Sequence, residues 1–324
     1  MKVTSRLSPV NSIISPLFFL FFIGGLSYML ALVSIKELTE GTVDSLFKTP
    51  IYGSIVFIGL LIWMAYHYAK MCKTIQIGED GLKFSGIFKS ELIKWDEVDK
   101  IKLTGKKIII FSPMEATHIK LKNGSQRTIV AFYYENMDSM RRALEQVNNC
   151  IKIRKPVEII QRKRIPVKIE KVGFLNTVGM TKYSGNHFIS FNGIMIYGWV
   201  IFFAYLGLTT ESPNSFETNL ILFICVFGFF YGLMGFQLHY YYMDKDFLVI
   251  KNHVWPWRIH RYRISDIKQA VFETPYRMST SLRIITKDYK STLYPGGSLN
   301  DDTWEQLLME FKNLKVSVRN EAIY

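Results

Sequence analysis

Cysteine is scarce: the 324-residue chain holds three, Cys72, Cys150 and Cys225. They show no CxxC spacing and have no histidine at ligand distance in sequence, which excludes a disulfide framework and a cysteine-based zinc site. The six histidines, His67, His118, His187, His239, His253 and His260, form no HExxH and no multi-histidine box on an apolar run. Zinc-protease and di-iron membrane-enzyme chemistry therefore lack their core requirement. No GxSxG elbow is present, since Ser184-Gly185 stands without a paired acid and histidine. Phosphate loops are missing too: Gly24-Gly25 lies in an apolar run, and Pro295-Gly296-Gly297 is not followed by Lys and Ser or Thr. The paired acids Asp301-Asp302 read as the cap of a helix around Trp304, where the dipole favours negative charge. The expectation is a non-enzyme with no catalytic residue, cofactor or metal.

Acid is also in short supply. There are 27 Asp and Glu against 40 Lys and Arg, for a net charge of +13. With no recognisable nucleic-acid module, the excess points to a membrane face or to basic cytoplasmic loops rather than to DNA or RNA.

Charge is entirely absent from four long runs: Ile13–Ser34, Ile51–Ala69, Phe188–Leu208 and Leu220–Leu238. About 20 apolar residues suffice to cross a hydrocarbon core, so these read as four spans in two hairpins. The first is not expected to be a cleaved signal peptide: its apolar core is long, and no small-x-small site follows Leu30-Ala31-Leu32-Val33. Between Ile151 and His187 lie nine basic residues against Glu158 and Glu170, whereas the loop Thr209–Glu217 carries only Glu211 and Glu217. The positive-inside rule then places both termini in the cytoplasm, with Lys70 and Lys73 at the inner end of the second span. His67 and His239 are expected as interfacial anchors. Dry, uncharged spans argue against a path for polar cargo, for which only Asn192 and Asn219 offer amide groups. A transporter, or an accessory subunit of one, remains the alternative. Gly228 and Gly232 give the fourth run a GxxxG face, and Ser27 with Ala31 forms a weaker pair on the first. These small residues are expected to serve hairpin-to-hairpin packing within the chain ahead of dimerisation.

The sequence after each hairpin is polar and strand-like. Segments Thr74–Ile77, Leu82–Ser85, Glu91–Trp95, Lys100–Leu103, Ile108–Phe111, His118–Lys122 and Gln126–Phe132 read as strands, with turns at Thr104-Gly105-Lys106 and at Asn123-Gly124. The apolar period then shifts to three and four at Met137, Met140, Leu144 and Val147, the stripe of an amphipathic helix. After the second hairpin come Tyr242, Phe247–Lys251, Arg258–Tyr262, Leu282–Thr286 and Thr292–Tyr294, then a helix carrying Trp304, Leu307, Leu308, Phe311 and Leu314. Trp95-Asp96-Glu97-Val98 aligns with Ile264-Ser265-Asp266-Ile267, so one unit is used twice. The fold class expected is a membrane α-helical part joined to α+β modules. The divisions are 1–71 (hairpin 1), 72–150 (domain 1), 151–187 (basic connector), 188–239 (hairpin 2) and 240–324 (domain 2).

Glu79-Asp80-Gly81-Leu82, Gly86-Ile87-Phe88, Ile93-Lys94-Trp95-Asp96-Glu97-Val98 and the helix after the last strand resemble the bacterial pleckstrin-homology (PH-like) domain membrane proteins. Asn252-His253-Val254-Trp255-Pro256-Trp257 departs from that pattern in the second half. The resemblance implies a small β-barrel or sandwich closed by a C-terminal helix in each domain. It also implies residence in the bacterial plasma (inner) membrane and a role in envelope maintenance or tolerance of membrane-active peptides. On the residues themselves, Arg154, Lys155, Arg162, Lys163 and Arg164 form one basic feature, and Trp255, Trp257, Arg258, Arg261 and Arg263 another. Both are candidate surfaces for anionic membrane lipid or a membrane protein partner, since Lys and Arg favour an anionic leaflet and Trp the headgroup zone.

Overall fold

The computed structural model describes residues 2–41, 50–87, 89–109, 112–160, 177–209, 213–275 and 278–322. The chain forms two compact units, Met1–Lys163 and Arg164–Tyr324. Helices and several antiparallel sheets make the fold α+β.

In the first unit a short strand β1 (Val3–Thr4) precedes a π-helical turn at Val10–Ile14, then α1 (Ser15–Thr39) and α2 (Ile51–Met71). Next come β2 (Thr74–Ile77), β3 (Leu82–Ser85) and β4 (Ser90–Ile93). A second run holds β5 (Val98–Ile109), β6 (Ser112–Leu121) and β7 (Gln126–Val130), and α3 (Met137–Lys152) comes after it. The sheets are ordered β1-β2-β3-β4 and β5-β6-β7. Strand β1 is adjacent to β2, with Val3 opposite Ile77, although both long helices lie between them in sequence. The core joins Ile75, Leu82, Ile93 and Ile119 to Met140 and Leu144 of α3, as the helical stripe requires.

In the second unit β8 (Thr181–Tyr183) leads into α4 (Phe191–Thr209) and α5 (Pro213–Gly235). Then come β9 (His239–Met243), β10 (Phe247–Asn252) and β11 (His260–Arg263), in the order β11-β10-β9-β8. Strands β12 (Ile267–Glu273), β13 (Ser281–Thr286) and β14 (Ser291–Pro295) precede α6 (Asp301–Asn313), and β15 (Ser317–Glu321) closes the chain. Strand β15 pairs parallel with β12, so this sheet runs β14-β13-β12-β15. Again β8 and β9 are adjacent, Thr181 opposite Met243, with the helical pair between them in sequence. Trp304, Leu307 and Phe311 of α6 are buried in this core with Tyr241, Phe272 and Ile284.

Trp95–Glu97 and Ile264–Asp266 each form one 3-10 turn between the two sheets of their unit. In both, the first residue is buried, and the backbone of the third accepts from a residue just past the facing strand: Lys122 N–H to Glu97 O and Lys287 N–H to Asp266 O, each 2.8 Å.

Several expectations need correction. Among the described residues two helices, not four, are long and apolar enough to cross a membrane: Val10–Thr39 and Ile51–Met71. In α4 and α5 the apolar stretches that lie within the described residues are Phe191–Leu206 and Val226–Gly235, each below that length. The fourth run also ends three residues early, since Gly235 closes α5 and Leu238 bridges to Gly296. No turn forms at Thr104-Gly105-Lys106; β5 continues through it with a register shift between Lys102 and Gly105. Gly105 is needed there because a Cβ would stand 2.8 Å from the His118 ring. Trp95 leaves its strand to anchor the 3-10 turn, its indole N–H donating to Gly78 O at 2.9 Å. The cap of α6 is Asn300, which accepts from Thr303 N–H at 3.0 Å, while Asp301 and Asp302 occupy the first turn.

Candidate functional site

Each unit carries a polar network where its helical pair meets its sheet. Helices α1 and α2 pack through small residues. Ser27 and Ser54 are buried, their hydroxyls 2.8 Å apart, and Ser27 also donates to Ser54 O at 3.1 Å. Outward they expose Phe18, Phe21, Phe22, Ile55, Val56 and Ile62, apolar area far beyond what a water-facing surface carries. Both legs are fastened to the turn after β7. Ser8 N–H and the Ser12 hydroxyl donate to Tyr133 O at 2.9 and 3.1 Å, and Asn11 Nδ2 donates to Phe132 O at 2.9 Å. The Tyr68 hydroxyl donates to Ser12 O, and the Tyr134 hydroxyl to Lys73 O at 2.7 Å. Asn136 fixes β1 by accepting from Arg6 N–H at 2.6 Å and donating to Thr4 O at 2.9 Å.

The foot of α4 and α5 is equally bonded. Asn192 is buried and donates to the Ser279 hydroxyl at 3.0 Å. Gly297 N–H donates to Gln237 O at 2.7 Å, and Asn252 Nδ2 to Gly235 O at 2.8 Å. A side chain at Gly297 would set its Cβ 2.2 Å from Asn192 Nδ2. His239 is no interfacial anchor: it is buried in β9, its Nδ1–H donating to Pro295 O at 3.0 Å. Burial pushes its imidazole down to about 4, against that hydrogen bond. The His253 ring stacks on Tyr240 and on His187, with both ring pairs 4.2 Å apart. Burial, with His187 beside it, lowers His253 to about 4 as well.

The candidate residues fall in different places. Trp255, Trp257 and Arg258 lie in the loop between β10 and β11 rather than on a strand. Trp255 is half-buried beside Tyr231 of α5, its ring covered by the Arg258 guanidinium at 4.5 Å. Trp257 is 71% exposed, so neither indole belongs to the domain core. Arg261 is half-buried and Arg263 exposed on β11. Phe188, Ile189 and Ile259 are exposed as well; Trp255 meets the end of α5 through Tyr231, whereas Arg263 stands opposite Phe247, at the other end of β10 from Asn252. Arg154 and Lys155 follow α3, Arg154 with φ of 53°. Their amides close the helix by donating to Ile151 O and Cys150 O at 3.2 and 3.0 Å. They line an open cavity of about 690 Å³ that also carries Glu79, Asp80, Asp96 and Asp99, so their charge is met by acids. Arg162, Lys163 and Arg164 lie outside the described residues.

Gly228 and Gly232 do not meet α4. A Cβ at either has nothing within 4 Å, and the α4–α5 contact runs instead through Trp199–Phe230 and Phe203–Phe223, rings 5.4 and 5.5 Å apart.

A basic group went unnoticed in sequence. His67, Lys70, Lys73, Lys107 and Arg127 line one cavity of about 320 Å³ at the end of α2. Lys70 and Lys73 read in sequence only as topology markers, while Lys107 and Arg127 arrive from β5 and β7, which the chain order does not reveal. Among the described residues no cluster of three or more His, Cys, Asp or Glu could hold a metal. No family model matches the chain, and comparison with curated proteins finds no relative.

Proposed function

We propose that this chain is a non-enzymatic, membrane-anchored protein that presents two PH-like domains at the cytoplasmic leaflet of a bacterial plasma (inner) membrane, for binding of protein or anionic lipid. The observation that carries the reading is the placement of the helices: each pair is inserted between two adjacent strands of one sheet, Val3 opposite Ile77 and Thr181 opposite Met243. Such a domain cannot swing on a linker; it stands on its hairpin. A four-stranded sheet, a second sheet and a closing helix in each unit support the PH-like assignment and the reading of one unit used twice. The two 3-10 turns with matching hydrogen bonds add to it.

Four spans are part of the proposal. At a 1.5 Å rise, 19 and 23 residues make α4 and α5 about 29 and 35 Å long, enough for a core of about 30 Å. Both termini then lie inside, and two tethered weak surfaces gain avidity for one partner or leaflet. By the resemblance, the role served is envelope maintenance or tolerance of membrane-active peptides. The transporter alternative loses support at Asn192, whose amide is engaged by Ser279 at the foot of α4.

In a cysteine-free background, single cysteines at Glu40 and Thr209 are expected to react with an impermeant thiol reagent on intact cells. Cysteines at Ser125 and Asp288 are expected to react only after lysis. Labelling of the latter pair in intact cells would sink the topology. In-cell cross-linking of the tagged chain is then expected to recover a stoichiometric protein partner or enriched anionic lipid. Recovery of neither removes the binding role.

A further inference from the structure

The cavity at the end of α2 differs in kind from the cavity beside the end of α3. The one carrying Arg154 and Lys155 sets four acids, Glu79, Asp80, Asp96 and Asp99, against four bases, counting Lys94 and Lys122. It neutralises itself. Among the described residues, no acid lines the cavity at α2. Of its cations, Arg127 is already matched, its guanidinium donating to both Glu91 oxygens at 3.0 and 3.1 Å through Nε and at 2.6 Å through Nη2. That pairing holds the Glu91 carboxyl below its ordinary range. Cancelling Arg127 against Glu91 leaves Lys70, Lys73 and Lys107, three positive charges around one opening. None of the three has an ion pair among the described residues.

The location adds the second half of the argument. Lys70 sits in the last turn of α2 and Lys73 just beyond it, where an apolar helix gives way to the water-facing sheet. Buried Ile75, Phe84 and Tyr134 also line the cavity, so its base is apolar while the ammonium groups are exposed or half-buried. At about 320 Å³ it lies at the small end of ligand pockets, suited to one polar headgroup rather than to a large cofactor. Lys73 also feels the Glu91 carboxylate, but one carboxylate set against Arg127 and three lysines leaves the opening positive, and a phosphate oxygen cluster answers that charge with charge-assisted hydrogen bonds. The side of α2 above it exposes Ile55, Ile62 and Trp63, a wall along which acyl chains can lie.

We infer that Lys70, Lys73 and Lys107 form a headgroup site for an anionic phospholipid of the leaflet into which α2 descends. This inference rests on the proposed membrane placement and names the lipid-binding position within it. Phosphate is the shared chemistry; the apolar wall selects the lipid-borne form over a soluble one.

The test uses the full chain purified in an uncharged detergent. Phosphatidylglycerol or phosphatidylcholine is added, thermal unfolding is followed, and retained lipid is read by native mass spectrometry. Wild type and the control K94Q/K122Q, in the self-neutralised cavity, are expected to be stabilised by phosphatidylglycerol and to retain it. K70Q/K73Q/K107Q is expected to bind it about tenfold or more weakly, as loss of three near-surface charges dictates. Equal affinity in the triple variant, or equal stabilisation of wild type by phosphatidylcholine, overturns the site. If soluble glycerol 3-phosphate stabilises wild type as strongly as the lipid does, the lipid assignment is overturned in favour of a soluble phosphate. Alkaline washing of membranes separates this failure from that of the anchor. A triple variant that stays embedded yet binds normally defeats only the headgroup site, whereas a wild type that washes off defeats the membrane placement itself.

Discussion

His239 couples the second unit to pH. Its folded value of about 4 lies below the ordinary 6.5 because burial penalises the charged ring. Between those values the unfolded chain binds a proton that the folded unit refuses, so stability is full above 6.5 and falls as pH drops toward 4. The loss attributable to His239 reaches about 3 kcal/mol. His253, lowered for the same reason, acts in the same direction. Thermal unfolding at pH 7.5 and pH 5 is expected to show the drop, and His239→Gln to flatten it; an unchanged profile in that variant would remove His239 as the cause. Tryptophans separate equally sharply. Trp304 is 1% exposed and Trp257 71%. Trp304→Ala is expected to cost about 3–5 kcal/mol, and Trp257→Ala within about 0.5 kcal/mol of zero. A large loss at Trp257 in detergent would show that its indole packs rather than faces the bilayer. Asn192→Ala leaves Ser279 without its donor and is expected to cost about 1–2 kcal/mol.

At the scale of elements, the hairpins and strands were legible to different degrees. Helix α2 was readable to within two residues, because the apolar run Ile51–Ala69 follows Pro50 and the helix adds only Lys70 and Met71. Strands β2, β3 and β13 and helix α3 were readable from period and turn residues. Strand β1, only two residues long, was not, since its pairing with β2 is a contact across both helices and leaves no local pattern. Strand β15 was hidden for a related reason: Ser317-Val318-Arg319-Asn320-Glu321 is polar and becomes a strand only beside β12. The turn read at Gly105 failed because glycine there serves close approach to His118 rather than reversal. The basic cavity escaped notice because its four cationic contributors come from α2, the segment just after it, β5 and β7. These contacts give a direct test. Deleting residues 2–8 is expected to strip β1 and the Ser8 tie to Tyr133, destabilising the first unit while leaving unfolding of the second unchanged. Ser54→Val is expected to weaken α1–α2 packing by about 0.6–1.7 kcal/mol, the range for hydroxyl bonds in lipid, read as a shift of the first unit's unfolding.

For the whole molecule, the decisive quantity is exposed apolar surface at α1 and α2 combined with a net charge of +13. Both suit an apolar belt beside basic, leaflet-facing domains. The open face at Gly228 and Gly232 has the small-residue form that lets helices approach closely. Gly228→Leu is expected to leave the fold of the second unit intact, because nothing stands within 4 Å of the added Cβ. An unfolding temperature equal to wild type in detergent would bear this out.

The insertion of each helical pair between neighbouring strands also orders events during synthesis. Thr4 leaves the ribosome about 70 residues before Thr74, roughly 4–15 s at ordinary elongation rates, and both helices are made in that interval. Strand β1 therefore waits, unpaired, until the hairpin has been delivered and the chain has turned back. Closing so long a loop is slow and entropically costly for a free chain, but a hairpin already seated returns β2 to the side of β1. On the proposed membrane placement, assembly of the first sheet is thereby a readout of completed insertion: a chain whose hairpin fails to seat would leave its domain one strand short, and open to proteolysis.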